Sequence, residues 1–124
     1  VQYKKILIVD DSSTARMLIR NFLQIAGLDG ADFYESEDGS GALSLIDEVQ
    51  MDLVISDIIM PKLDGNVFIK KLRLKERYKK VPVIILTSLN EDSILPTVDK
   101  DPWSRILQKP VTPEKLAEVL GEMK

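Results

Sequence analysis

Residues 53–61 read Leu53-Val54-Ile55-Ser56-Asp57-Ile58-Ile59-Met60-Pro61. A short apolar run of this length is the signature of a strand buried on both faces. It ends at a carboxylate, and Pro61 stops the chain from continuing as a central strand. Asp57 therefore falls at the carboxyl end of a central strand, where open α/β sheets place their ligand crevice.

Working outward, Lys5–Val9 is a second apolar run, followed by Asp10-Asp11-Ser12-Ser13, residues suited to capping a helix. Ala15, Leu18, Ile19, Phe22 and Ala26 follow at helical spacing and predict one buried stripe, with Gly27 as its stop. Asp32–Ser36 mixes polar and aromatic residues, as an edge strand does. Ala42, Leu45, Ile46 and Val49 give a second helical stripe. Asp64-Gly65 opens a third helix with Phe68, Ile69 and Leu72 inward. Pro82–Leu86 is the next strand, and a weaker helical segment interrupted by Pro96 follows. Arg105–Gln108 is polar at both ends and predicts another edge. Thr112-Pro113 starts a last helix with Leu116, Val119, Leu120 and Met123 buried. The basic run Lys70, Lys71, Arg73, Lys75, Arg77, Lys79 and Lys80 is read mainly as a solvated face.

Five strands alternating with five helical segments predict an α/β domain spanning residues 1–124. Its sheet is doubly wound and parallel, with helices on both faces. Two polar edges and three apolar centres fit the flavodoxin-like order 2-1-3-4-5. That order makes the first and third strands neighbours. Asp10, Asp11 and Asp57 then converge on one rim, beside Thr87 and Lys109 from the flanking strand ends.

Composition narrows the chemistry. The 124 residues contain no cysteine and no histidine, which removes disulfides, thiolate sites, imidazole ligands and Ser-His-Asp catalysis. If phosphohistidine chemistry is involved, the histidine belongs to another molecule. A net charge of −3 gives no reason to expect nucleic-acid binding. No membrane span or signal peptide is visible, so the expected location is cytoplasmic. Two like charges about 4–5 Å apart repel by roughly 3–4 kcal/mol at an effective dielectric of 20, so clustered carboxylates usually hold a cation. Oxygen ligands without His or Cys suit Mg²⁺ or Mn²⁺. With a lysine and a hydroxyl beside them, these are the parts of a phosphoryl-transfer site. A carboxylate can itself be the nucleophile.

Asp10-Asp11, Asp57 with Met60-Pro61 and Asp64-Gly65, Thr87, and Lys109-Pro110 occur in this order at the right strand ends. In them the whole chain resembles a response-regulator receiver domain of two-component signalling, of the single-domain chemotaxis type. The resemblance implies that Asp57 is a phosphoacceptor rather than part of a conventional enzyme. Asp11, Asp57 and the backbone carbonyl of Ile59 would ligate Mg²⁺ directly, and Asp10 through water. Thr87 would be the switch hydroxyl and Lys109 the partner of the phosphoryl group, with a cis peptide at Lys109-Pro110. The implied partners are a sensor histidine kinase or a histidine phosphotransfer protein, and a downstream protein or fused output domain.

The chain also departs from the family pattern. Ile106 stands where receivers often carry an aromatic residue, and Ser88 where a smaller residue is usual. Pro96 and Trp103 mark residues 90–105 as atypical, and reordering of that segment is the expected output signal. Ile59 and Leu89 are expected to flank the phosphoryl group and obstruct attacking water. Other readings weigh less. A flavin-mononucleotide module would not put Asp10-Asp11 where its phosphate sits. A haloacid-dehalogenase-type phosphatase needs Asp-x-Asp after the first strand. A pseudo-receiver that only binds partners is the main alternative, although no acceptor-site residue is missing.

Overall fold

A computed structural model describes residues 3–58, 65–88 and 102–122. Five parallel strands, β1 (Lys5–Val9), β2 (Asp32–Ser36), β3 (Leu53–Asp57), β4 (Val83–Thr87) and β5 (Ser104–Gln108), form one sheet in the order β2-β1-β3-β4-β5. The expected order is the observed one. Four helices accompany the strands among the described residues: α1 (Ser13–Leu23), α2 (Gly39–Glu48), α3 (Gly65–Leu74) and α4 (Pro113–Glu122). The helical segment read around Pro96 lies outside the described residues, as do Ile59, Met60-Pro61, Asp64, Leu89 and Met123.

Strand periodicity divides the core in two. Leu7, Val9, Val54 and Ile85 face α2 and α3, where Phe68 and Ile46 pack on them. Ile6, Ile8, Ile55 and Ile84 face the opposite way, onto Ile19 and Leu23 of α1 and Leu116 of α4. All of these residues are essentially inaccessible to solvent. With helices on both faces, the three central strands are apolar except for Lys5 at the start of β1, Ser56 and Asp57 at the end of β3 and Thr87 at the end of β4.

Local chemistry sets the helix ends. Ser12 caps α1, its Oγ accepting from the Ala15 N–H at 3.2 Å. Asp38 caps α2 through the Gly41 N–H at 2.7 Å. Thr112 Oγ1 accepts from the Lys115 N–H at 3.1 Å, and Pro113 is the first residue of α4. After α1 the chain runs through a π-helical turn, Gln24–Leu28. Gly27, at φ 109°, breaks the helical path where the sequence placed its stop.

Two expectations are corrected here. Leu18 is 43% exposed, and Leu23, one turn beyond Ile19, takes the fully buried place. The stripe is centred on Ile19–Leu23, which turns Leu18 towards water. Nor is the basic run simply a solvated face. Arg73 Nη1 donates to the carbonyls of Tyr78 and Val81, both at 2.7 Å, and Nη2 reaches Ser104 Oγ at 3.1 Å. Arg77 donates to the carbonyls of Ile46 and Asp47 at 2.9 and 3.1 Å, with its guanidinium 5.5 Å from the Tyr78 ring centre. Both arginines pin the α3–β4 connection to its neighbours with forked donors that a lysine lacks.

The buried tyrosines differ in one respect. Tyr78 Oη accepts from the Met51 N–H at 3.0 Å and stands 2.8 Å from the Ile46 carbonyl and 2.9 Å from that of Val49. Tyr3 Oη is also buried and meets no hydrogen-bonding partner among the described residues. Burial raises both phenol pKa values above the usual 10. The same substitution should therefore act with opposite sign at the two positions. Tyr78→Phe is expected to cost about 1–3 kcal/mol by stranding buried backbone groups. Tyr3→Phe, which removes an unpaired hydroxyl, should raise stability by up to about 1 kcal/mol. Urea unfolding of both variants at neutral pH checks the pair, and equal losses at the two positions would contradict it.

Candidate phosphoacceptor site

Four strand ends build the site. β1 and β3 are direct neighbours, and their register pairs Val9 with Ser56. Asp10 and Asp57, each one residue further on, therefore stand at the same level of the rim. Asp11 follows Asp10 before α1 begins. Thr87 is the last residue of β4 and is fully buried. Its carbonyl accepts from the Lys109 N–H at 2.7 Å, which brings the chain after β5 back to the same rim. The Lys109-Pro110 peptide is cis, as expected from the sequence.

One carboxylate oxygen from each of Asp10, Asp11 and Asp57 lies within 4.8 Å of the others. The environments of the three differ. Asp10 is 1% exposed, and both its oxygens are engaged, Oδ1 by the Ser12 N–H at 2.9 Å and Oδ2 by Lys109 Nζ at 3.3 Å. Asp57 Oδ2 lies 3.3 Å from the same ammonium, and its side chain is 13% exposed. Asp11 is exposed.

Lys109 is thus the counter-charge to two carboxylates. Burial alone would lower its pKa. The charges of Asp57 and Asp10 and its hydrogen bonds to them outweigh that and raise it above the usual 10.5. A raised lysine value means that its contribution to stability is complete below pH 10.5 and is lost as the pH climbs through the higher folded value.

The donor set fits a hard divalent cation. At about 2.1 Å from Mg²⁺, opposite ligands stand about 4.2 Å apart, and a ligand acting through water stands further off. Three oxygens within 4.8 Å match that span. Both oxygens of Asp10 are already committed, to Ser12 and Lys109. The contribution expected from the Ile59 carbonyl lies outside the described residues.

Two neighbours escaped the sequence reading. Arg16 Nη1 donates to the Asp10 carbonyl at 2.5 Å, and its Nε donates to Glu35 Oε1 at 2.9 Å. The one signal available was Arg16 near the start of α1, where the helix dipole disfavours a cation. Ile106, noted as a departure, is partly buried and packs against the α2/α3 side of the core.

Lys109→Met should expose the repulsion that the ammonium now offsets. In chelator at neutral pH the loss of stability is expected to be about 1–3 kcal/mol, the cost of breaking a buried pair reduced for a partly exposed lysine. The gap from the unmodified protein should narrow when Mg²⁺ is added and again at strongly alkaline pH. Denaturant melts in EDTA and in Mg²⁺ measure it, and a gap indifferent to the cation would contradict it.

Comparison with known proteins agrees with this geometry. A Chemotaxis protein CheY homolog of Campylobacter jejuni is 36% identical over 122 residues, covering 94% of this chain and 92% of that protein. Chemotaxis protein CheY1 of Helicobacter pylori strain J99 is also 36% identical, covering 94% of this chain and 97% of its own. The solved structure of the chemotaxis response regulator CheY4 of Vibrio cholerae superposes with a TM-score of 0.81 at 29% identity, covering 98% of both chains. The family profile described as the response regulator receiver domain matches residues 6–121, and this chain belongs to that family.

Proposed function

We propose that residues 1–124 act as one phosphoacceptor unit, in which Asp57 takes a phosphoryl group from a phosphohistidine on a sensor kinase or a histidine phosphotransfer protein. The observation that carries this reading is the grouping of the Asp57 carboxylate with Asp10, Asp11 and the Lys109 ammonium at one rim. A carboxylate oxygen of Asp57 attacks phosphorus. The P–N bond breaks, the imidazole leaves with the electron pair, and an acyl phosphate remains on Asp57. Lys109 already faces that carboxylate and is placed to pair with a phosphoryl oxygen. Asp11 and Asp57, with Asp10 through water, would hold Mg²⁺, whose charge offsets the negative charge brought together in the transfer. Water attacking the same phosphorus reverses the modification.

Thr87, at the buried end of β4, is the proposed switch. Its hydroxyl would donate to a new phosphoryl oxygen, and a charge-assisted bond is roughly twice as strong as a neutral one. Ile106 has no polar edge to report that movement, so the signal is proposed to pass through residues 90–105 to a downstream protein or output domain. The absence of a membrane-crossing helix among the described residues is compatible with a cytoplasmic site of action.

Acetyl phosphate with Mg²⁺ should add one phosphoryl mass to the protein. The adduct should be labile to hydroxylamine and absent in Asp57→Asn. Mass spectrometry decides, and an adduct surviving on a Ser or Thr would defeat the assignment. A chain that binds Mg²⁺ but takes no phosphoryl group would be a pseudo-receiver.

Mg²⁺ itself should stabilise the fold, by about 2.7 kcal/mol at 100 times its Kd if the unfolded chain binds weakly. Asp11→Asn should abolish most of that gain. Thermal melts across a Mg²⁺ series test it, and an undiminished shift in the variant would rule out this arrangement.

A further inference from the structure

Asp10 is held at each of its polar atoms. Its N–H donates to the Ser36 carbonyl at 3.1 Å, Oδ1 accepts from Ser12 and Oδ2 faces Lys109, while the carbonyl accepts from Arg16. The last contact differs in consequence. That carbonyl belongs to the planar peptide joining Asp10 to Asp11, so holding its oxygen fixes the rotation of the plane. The direction in which Asp11 leaves the backbone follows from it. Asp11 itself is exposed and takes no hydrogen bond among the described residues.

Arg16 is well placed to hold that plane. Its side chain is 16% exposed and bridges β1 to β2 by way of Glu35. The other Glu35 oxygen is 3.5 Å from Arg20 Nη1, and the Arg20 guanidinium lies 5.3 Å from the Phe33 ring centre. The guanidinium presents Nη1 to the carbonyl and Nε to the carboxylate in fixed directions, a rigid geometry that the flexible ammonium of lysine does not reproduce.

We propose that Arg16, steadied by Glu35, is a positioning residue for cation binding: by holding the Asp10 carbonyl it aims the Asp11 carboxylate into the crevice. The inference rests on the crevice being the Mg²⁺ site argued above. Charge and positioning give opposite signs in a variant. Removing a cation beside three carboxylates should by itself tighten Mg²⁺ binding, whereas loss of aim should weaken it.

Calorimetric titration of the full chain with MgCl₂ tests this on the unmodified protein, Arg16→Lys, Arg16→Met and Glu35→Gln, each checked for folding by circular dichroism. Both Arg16 variants are expected to bind Mg²⁺ about tenfold more weakly, as is usual when a residue orienting a metal ligand is lost. Glu35→Gln, which keeps the Arg16 charge, should weaken binding in the same direction. Acetyl-phosphate labelling of the Arg16 variants should approach the normal rate at saturating Mg²⁺, because the cation rather than the attack is affected. Unchanged or tighter binding in Arg16→Met overturns the proposal. If the Arg16 variants do not fold, Glu35→Gln decides, and an unchanged Kd there overturns it. An unmodified protein that binds no Mg²⁺ overturns the crevice reading and this inference with it, a result distinct from variants that bind normally.

Discussion

Hydrogen bonding between β1 and β3 in a register that pairs Val9 with Ser56 forces the next residue of each strand, Asp10 and Asp57, to the same height on the rim. Both are carboxylates, so the sheet creates a concentration of negative charge that something must offset. Lys109, 3.3 Å from each, supplies one positive charge. Ser12 and Arg16 supply hydrogen bonds to Asp10. Asp11 adds a third, exposed carboxylate to the same group. The proposed function grows out of a like-charge grouping imposed by strand pairing.

The rest of the fold supports that one register. Buried branched side chains fill both faces of β1, β3 and β4, and a slip of one residue would turn each strand inside out. Strands β2 and β5 close the edges, and the caps on α1 and α2 fix where the rim loops end. Away from the rim, Arg73, Arg77 and Tyr78 tie the α3–β4 connection to the backbone of α2 and to the start of β5. They keep β4, and with it Thr87, at its proper height.

Most of this is legible in the sequence because it depends on patterns that one chain displays directly. Apolar runs mark strands, polar runs mark edges, and the order of strands then brings Asp10, Asp11, Asp57, Thr87 and Lys109 together without knowledge of any side-chain contact. What the sequence conceals depends on partners far along the chain. Leu18 and Leu23 are equally apolar, and only the angle at which α1 packs decides which is buried. Arg73 and Arg77 resemble their lysine neighbours until the free carbonyls at the end of α2 and around Val81 lie within reach. Arg16 is one more polar helix residue until β2 delivers Glu35. Hydrophobic periodicity carries no information about such polar pairings, because they follow from tertiary distance alone.

The contact between Lys109 and Asp10 joins residues 99 positions apart in the chain, and that between Lys109 and Asp57 joins residues 52 apart. A parallel sheet brings such distant residues together only late, when most of its non-local pairings have formed. The counter-charge to the carboxylates therefore depends on the completed sheet, because Lys109 follows its last strand. Any modification that needs this counter-charge is confined to finished molecules. The proposed modification would thereby carry its own inspection step: a damaged or incomplete copy would be silent rather than wrongly active.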